Sequence, residues 1–227
     1  MNAEAVDEMS VRRERMIAEI EQLVRETRRE TGRAALDVRV IAALRKVERH
    51  RFLPPGFSAQ AYDNRPLAIG AGQTISQPFI VALMTDLLNV APGDKVLEVG
   101  TGSGYQAAVL AEIVRAVLSI EIIEPLGREA ARALAAAGYR NVQTRIGDGY
   151  AGWPDEAPFD GIIVTAAAPY VPQPLIDQLK NGGRLVIPLG EPQGVQSLFV
   201  IDKDVRGTVT RRKVLDVRFV PLTRRPG

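Results

Sequence analysis

Apolar and polar positions follow two different rhythms along this chain, and the change between them falls near Asp94. Before it, helical spacing dominates. Met16, Ile17, Ile20, Leu23 and Val24 recur on one helix face, so residues 10–30 read as an amphipathic helix with Ser10 as N-cap and Gly32 as its stop. Val40, Ile41, Leu44 and Val47 make the stripe of a second helix, which Asp37 can cap and which ends near His50. Residues 54–75, punctuated by Pro54, Pro55, Gly56, Pro66, Gly70 and Gly72, show no period and read as a long irregular loop of the kind that is usually either functional or disordered. Phe79, Ile80, Leu83, Met84, Leu87 and Leu88 then restore the helical stripe, with Pro78 in its first turn and Ser76 at or beside its N-cap.

After Asp94 the pattern becomes an alternation. Apolar runs suited to buried strands occupy Val96–Val99, Ala116–Glu121, Val142–Ile146, Phe159–Thr165 and Arg184–Leu189, with Pro92-Gly93 and Gly182-Gly183 as turns entering strands. Helical runs fill 104–115, 126–137 and 173–180 between them. Strand and helix in regular succession imply a parallel sheet with helices on both faces. Gln196–Lys203 and Lys213–Val220, separated by Asp204 to Gly207, read instead as an antiparallel hairpin. The expectation is one doubly wound α/β domain over residues 1–227, with a mostly parallel seven-stranded sheet. Its parts are an N-terminal helical layer (1–53), an active-site loop (54–78), a ligand-binding core (94–190) and a C-terminal hairpin (196–222).

Composition narrows the chemistry. The chain has no cysteine and a single histidine, which excludes disulfides, thiolate nucleophiles, Cys-ligated metal centres and multi-His metal sites, so no metal is expected. His50 has no acidic or nucleophilic companion in a recognisable motif and reads as structural. A net charge of +2 and an aromatic content of 5% argue against a nucleic-acid partner. The arginines of the first helix alternate with glutamates and read as a solvated, ion-paired face. No apolar run approaches the ~18 residues of a membrane span, and the acidic start lacks the features of a secretion signal, so a cytoplasmic location is expected.

The most informative stretch is Val96-Leu-Glu-Val-Gly-Thr-Gly-Ser-Gly-Tyr105, a strand running straight into three alternating glycines and then a helix. Such a turn opens its backbone to a ligand at the carboxyl end of the strand. A dinucleotide fingerprint needs a third glycine where this chain has Tyr105, which disfavours a nicotinamide dehydrogenase. Glu121 ends the second strand, where a carboxylate can accept from both hydroxyls of a ribose. Asp148, in Gly147-Asp-Gly149, can accept from an adenine amino group, or it can simply form an Asx turn. Three such sites at the ends of three successive strands point to an adenosine-type ligand. Ser76 has two roles open to it, as an N-cap and as part of a carboxylate site at a helix N-terminus.

The Glu98–Gly104 run resembles the first motif of class I S-adenosylmethionine-dependent methyltransferases, which have a Rossmann-like fold. Further segments make the resemblance more specific. Asp63-Asn-Arg-Pro-Leu67, Gly72-Gln-Thr-Ile-Ser-Gln-Pro78, Val164-Thr-Ala-Ala-Ala168 and Val217-Arg-Phe-Val-Pro-Leu222 are similar to segments of bacterial protein-L-isoaspartate O-methyltransferases, in order from about residue 40 to 223. The resemblance implies methyl transfer from S-adenosyl-L-methionine to the α-carboxylate of L-isoaspartyl residues in damaged proteins, with S-adenosyl-L-homocysteine as product. It also implies Ser76 as the active-site serine. Glu98, Gly100, Thr101, Gly102, Gly104, Glu121, Asp148 and Gly149 would bind the cofactor, and Thr74, Ile75 and Val220 the substrate. The inventory suits that chemistry, because a carboxylate is already a nucleophile at neutral pH and needs no general base. The remaining alternatives are another class I methyltransferase, acting on RNA or a small molecule, and a non-catalytic adenosine-ligand sensor. A monomer is favoured.

Overall fold

The computed structural model describes residues 3–191 and 194–224. Helix α1 (Ala3–Glu26) begins well before Ser10, which lies inside it. The residues ahead of Ser10 are alanine- and glutamate-rich, good helix formers that need no cap at that point. A short α2 (Arg28–Thr31) follows and stops at Gly32, which takes the left-handed conformation (φ 70°). Helix α3 (Val38–Lys46) is capped by Asp37, whose side chain accepts from the Arg39 N–H at 2.8 Å.

The expected irregular loop is largely ordered. After short 3-10 turns, β1 (Leu67–Gly70) and β2 (Gln73–Ile75) pair antiparallel, with Leu67 opposite Ile75. Ala71 and Gly72 join them with φ of 51° and 71°, the sense of turn that matches the twist of a two-stranded ribbon. Leu67, Ile69 and Ile75 are buried while Ala68 and Gly70 are exposed. This alternation is too short, and too rich in glycine, to declare a strand in sequence. Ser76 follows β2 directly and precedes α4 (Pro78–Leu88).

The N-cap of α4 is Gln77, not Ser76, and the capping hydrogen bond comes from a distant side chain. Asn64 Oδ1 accepts from the Phe79 N–H at 3.0 Å, and the Asn64 carbonyl accepts from Gln77 Nε2 at 3.0 Å. Asp86, near the other end of α4, is buried. Its carboxylate takes the Asp37 N–H at 2.7 Å and pairs with Arg33 at 2.8 Å, fastening the N-terminal layer to this helix.

The core then runs β3 (Lys95–Val99), α5 (Tyr105–Ala111), β4 (Ala116–Glu121), α6 (Glu124–Ala136), β5 (Val142–Ile146), β6 (Phe159–Val164), α7 (Gln173–Gln178), β7 (Leu179–Leu189), β8 (Gln196–Lys203) and β9 (Val209–Val217). One seven-stranded sheet has the order β5-β4-β3-β6-β7-β8-β9, parallel through β7 and antiparallel at β8 and β9. Strand β7 starts earlier than expected, so Gly182 and Gly183 lie within it. Strand β9 ends at Val217, earlier than expected, which leaves Val220 in the segment beyond it.

Both faces of the sheet are covered, which is why its central strands read as continuous apolar runs. Val96, Val117, Ile163 and Val186 pack with α1, α3, α4 and α5, while Leu97, Val99, Leu118, Ile162 and Leu185 pack with Trp153 and Leu175 on the opposite side. By strand alternation Glu98 and Ser119 face the helical layer with Val96 and Val117.

Removing the remote cap on α4 isolates its worth. Asn64→Ala is expected to destabilise the fold by about 1 kcal/mol and lower Tm by roughly 2–4 °C, with Asn64→Asp closer to wild type. Thermal unfolding by circular dichroism measures this, and an unchanged Tm for Asn64→Ala would contradict the capping role.

Candidate active site

The chain moves from β3 outward to β4 and β5, then crosses back to β6 on the other side of β3. A crevice opens at the carboxyl ends of strands flanking such a reversal. One cleft lies there, walled by Gly100 to Ser103 after β3, Ile120 to Ile123 at the end of β4, Gly149 after β5, and Thr165 and Ala166 after β6. Two further segments complete it: Gln73 to Ser76 from the hairpin, and Val220 to Thr223 from the segment past β9. That last segment is held in position by the Ala167 N–H on the Val220 carbonyl at 2.8 Å and the Leu222 N–H on the Ala167 carbonyl at 2.7 Å.

The glycine turn needs its glycines for two different reasons. Gly100 has φ 99°, and a Cβ there would lie 2.5 Å from Thr165 Oγ1, which itself donates to the Gly100 carbonyl at 2.6 Å. Gly104 has φ 88° and faces Leu134 of α6, so it sets the packing of the turn and does not line the cleft. The Gly100 N–H is tied to the Ile120 carbonyl at 2.8 Å, which locks the turn to β4.

Glu121 is buried, and each of its oxygens is fixed by a backbone donor. Gly102 N–H reaches Oε2 at 2.8 Å and Ile123 N–H reaches Oε1 at 2.9 Å. A carboxylate oxygen accepts more than one hydrogen bond, so this clamp leaves Glu121 able to accept from a ligand while holding its orientation. Among the described residues it is the one acidic side chain lining the cleft, and no Lys, Arg or His lines it.

Glu98 is placed differently from what the sequence suggests. It is fully buried and does not line the cleft. It stands beneath the turn in a relay: Thr101 Oγ1 and Ser119 Oγ share a hydrogen bond of 2.6 Å, and Ser119 Oγ donates to Glu98 Oε2. Burial pushes the Glu98 carboxyl up to about 8, against the pull of the Ser119 hydrogen bond and with a smaller push from Glu121. The physical reason for the difference is the strand period, which turns every second side chain of β3 away from the crevice. Thr101 is buried with its hydroxyl in that relay, yet forms part of the cleft wall.

Asp148 does not line the cleft itself but directly precedes Gly149. Its Oδ1 accepts from the Tyr150 N–H at 2.9 Å and caps the 3-10 turn Gly149–Ala151, the Asx-turn alternative, while Gly149 does line the cleft. Ser76, Ile75 and Thr74 line it from the hairpin side together with Val220. The Ser76 hydroxyl makes no hydrogen bond among the described residues, and its carbonyl accepts from Arg49 Nη2 at 2.8 Å.

Sequence reasoning missed Tyr105, Gln106, Thr165, Pro221 and Leu222 as cleft residues. Tyr105 entered it only as a departure from a glycine pattern. In the structure its ring is buried beneath the Arg49 guanidinium, 4.8 Å from the centroid, and edge-on to Phe52 at 5.9 Å. The signal that could have found it is its position as first residue of the helix after the turn. His50, by contrast, shares a 2.9 Å hydrogen bond with Tyr62 outside the cleft.

The family model for protein-L-isoaspartate(D-aspartate) O-methyltransferases matches residues 18–227. The chain belongs to this family. A protein-L-isoaspartate O-methyltransferase 2 of a Polaromonas species is 62% identical over 92% of this chain and 99% of its own length. One from Syntrophobacter fumaroxidans is 57% identical over 96% of this chain and 89% of its own. A solved protein-L-isoaspartate O-methyltransferase superposes with a TM-score of 0.81 at 28% identity, covering 92% of this chain and 65% of that one. A structure from Plasmodium falciparum, described as a putative family member in complex with S-adenosyl-L-homocysteine, superposes at 0.71 with 26% identity, over 82% of this chain and 91% of that one. The mostly parallel seven-stranded sheet with its antiparallel end thus accords with a solved member of the family.

The buried Glu98 gives a stability test with a definite sign. The unfolded chain releases this proton near the usual carboxylate pKa of about 4.3, whereas the folded chain keeps it to about 8, so wild-type stability falls as pH rises between those values. Glu98→Gln mimics the protonated form. Its Tm relative to wild type, measured without ligand, is expected to be closest at pH 4–5, to rise through neutrality and to level off above about 8. A difference independent of pH would contradict a protonated Glu98.

Proposed function

We infer that this chain is a repair enzyme that transfers a methyl group to the α-carboxylate of L-isoaspartyl residues, with S-adenosyl-L-methionine as donor and S-adenosyl-L-homocysteine as product. Membership of the family over nearly the whole chain supports the activity and the donor. The observation that carries the assignment of the site is that the Thr74–Ser76 edge and the Gly100–Ser103 turn are walls of one cleft.

The donor fits what the cleft offers. Glu121, held by two backbone N–H groups, presents carboxylate oxygens suited to a pair of ribose hydroxyls. Gly100, Gly102 and Gly149 line the cleft with backbone alone, the last of them on the adenine side. Thr101 belongs to the turn itself, and Glu98 acts from beneath by fixing Thr101 through Ser119. Asp148 is assigned to the adenine side through Oδ2, since Oδ1 caps the following turn. When bound, S-adenosylmethionine supplies an electrophilic methyl group on a sulfonium.

The chain's own work is then positioning. The isoaspartyl carboxylate is ionised at neutral pH and attacks through its own oxygen, so catalysis consists of alignment and exclusion of water. Ser76, with its hydroxyl uncommitted, is the group assigned to orient that carboxylate. Thr74, Ile75 and Val220 are assigned to the surrounding substrate pocket. Ile75 and Val220 keep it apolar, as a reacting anion stripped of water requires. The substrate is an isoaspartyl protein or peptide segment. No helix among the described residues is long and apolar enough to cross a membrane.

The decisive test is methyl transfer to paired peptides that differ only in aspartyl or isoaspartyl linkage. Methylation of the isoaspartyl peptide is expected at a rate at least about a hundredfold above the aspartyl one, because misplacing a reacting atom by about 1 Å already costs that much. Equal labelling of the two, or none of either, would contradict the repair function.

A further inference from the structure

Among the titratable groups outside the cleft, Arg49 is the least expected. It begins the 3-10 turn Arg49–Phe52 after α3, and its side chain is completely buried. No carboxylate pairs with it among the described residues. Its guanidinium is held by carbonyls and one ring: Nε donates to Ala61 O at 2.9 Å, Nη2 donates to Ser76 O at 2.8 Å, and the plane lies over Tyr105. Nη1 is buried without a partner. Burial pushes the guanidinium down to about 10, which still leaves it cationic at neutral pH.

A buried charge with no counterion costs stability unless its hydrogen bonds offset the lost hydration, and here one donor, Nη1, finds no partner. Packing alone therefore does not explain an arginine here. Its location does suggest a use. The guanidinium touches the backbone of Ser76 from behind the hairpin edge, and touches Tyr105, the first residue after the glycine turn. Among the described residues the cleft wall carries no cationic side chain, although its proposed substrate is an anion.

We propose that Arg49 is a positioning residue for the substrate carboxylate: it fixes the Ser76 backbone from behind the cleft and supplies, from the buried side, the positive potential that the cleft wall lacks. This rests on the repair function and on Ser76 as the carboxylate site. A cation on the buried side of Ser76 attracts the anion without competing for its attacking oxygen, and without forming an ion pair that would blunt its reactivity. Low dielectric around the buried guanidinium lets the field act at that range.

The test compares wild type with R49M, R49Q and R49K. The readouts are KM for an isoaspartyl peptide, inhibition by the matching isoasparaginyl peptide, whose neutral amide replaces the carboxylate, affinity for S-adenosylhomocysteine by calorimetry, and Tm. R49M and R49Q are each expected to raise KM for the isoaspartyl peptide by about tenfold, or about 1.4 kcal/mol, with cofactor-product affinity retained. Inhibition by the neutral peptide should change much less, so that preference for the anion narrows. R49K, which keeps the charge, should restore most of that preference.

An unchanged KM in folded R49M or R49Q would overturn the proposal. So would equal losses for the anionic and neutral peptides, or a joint fall in Tm and cofactor-product affinity, because these mark a structural prop. A wild type that failed to discriminate isoaspartyl from aspartyl peptide would overturn the repair function itself, and this proposal with it. A discriminating wild type with indifferent Arg49 variants would overturn this proposal alone.

Discussion

The cleft depends on a backbone that must leave β3, pass beside β6 and enter α5 without a side chain in its path. At Gly100 the room for a Cβ is already taken by the Thr165 hydroxyl, and the torsion is one that L side chains rarely adopt. That constraint brings the turn against β4, where the Ile120 carbonyl accepts from Gly100 N–H and the Glu121 carboxylate accepts from Gly102 N–H. The loop and the acid that are to hold one ligand thus hold each other first. Preorganisation of this kind spares binding energy that would otherwise go into ordering the loop.

A second set of contacts joins this turn to the substrate side. Tyr105 stands at the head of α5, Arg49 lies over it, and the same guanidinium reaches the Ser76 carbonyl. Asn64 caps α4 immediately beyond Ser76, and Arg12 of α1 donates to the Ala59 carbonyl at 2.7 Å in the segment between. The N-terminal layer is therefore more than a cover for one face of the sheet. Its side chains brace the edge on which the substrate is to sit. Ser76 is left free for chemistry because another residue performs the capping that a serine there would otherwise do.

Much of this was legible in the sequence, for identifiable reasons. The buried strands announce themselves because both faces of the sheet are covered, and the glycine spacing and Glu121 mark their place because torsion and strand ends restrict which residues serve. Other features depend on contacts between distant segments and leave no local signature. The β1–β2 hairpin was hidden by its brevity. The Asn64 cap reaches across the β1–β2 hairpin, the position of Val220 comes from backbone pairing with Ala167, and the Arg49–Tyr105–Ser76 contact joins three separate elements. Glu98 is the instructive case. Its motif position was clear, but the parity of β3 sends its side chain under the turn, where it acts through Ser119 on Thr101.

Because donor and substrate are assigned to different walls of the cleft, donor binding and substrate orientation are separable. Ser76→Ala probes that division most directly, with methylation kinetics on an isoaspartyl peptide and calorimetric binding of S-adenosylhomocysteine measured on the same preparation. The structure predicts a fall in kcat/KM of at least about tenfold, the cost of one lost hydrogen bond to a charged group, with cofactor-product affinity unchanged. Unaltered kinetics, or a parallel loss of cofactor-product affinity, would contradict it.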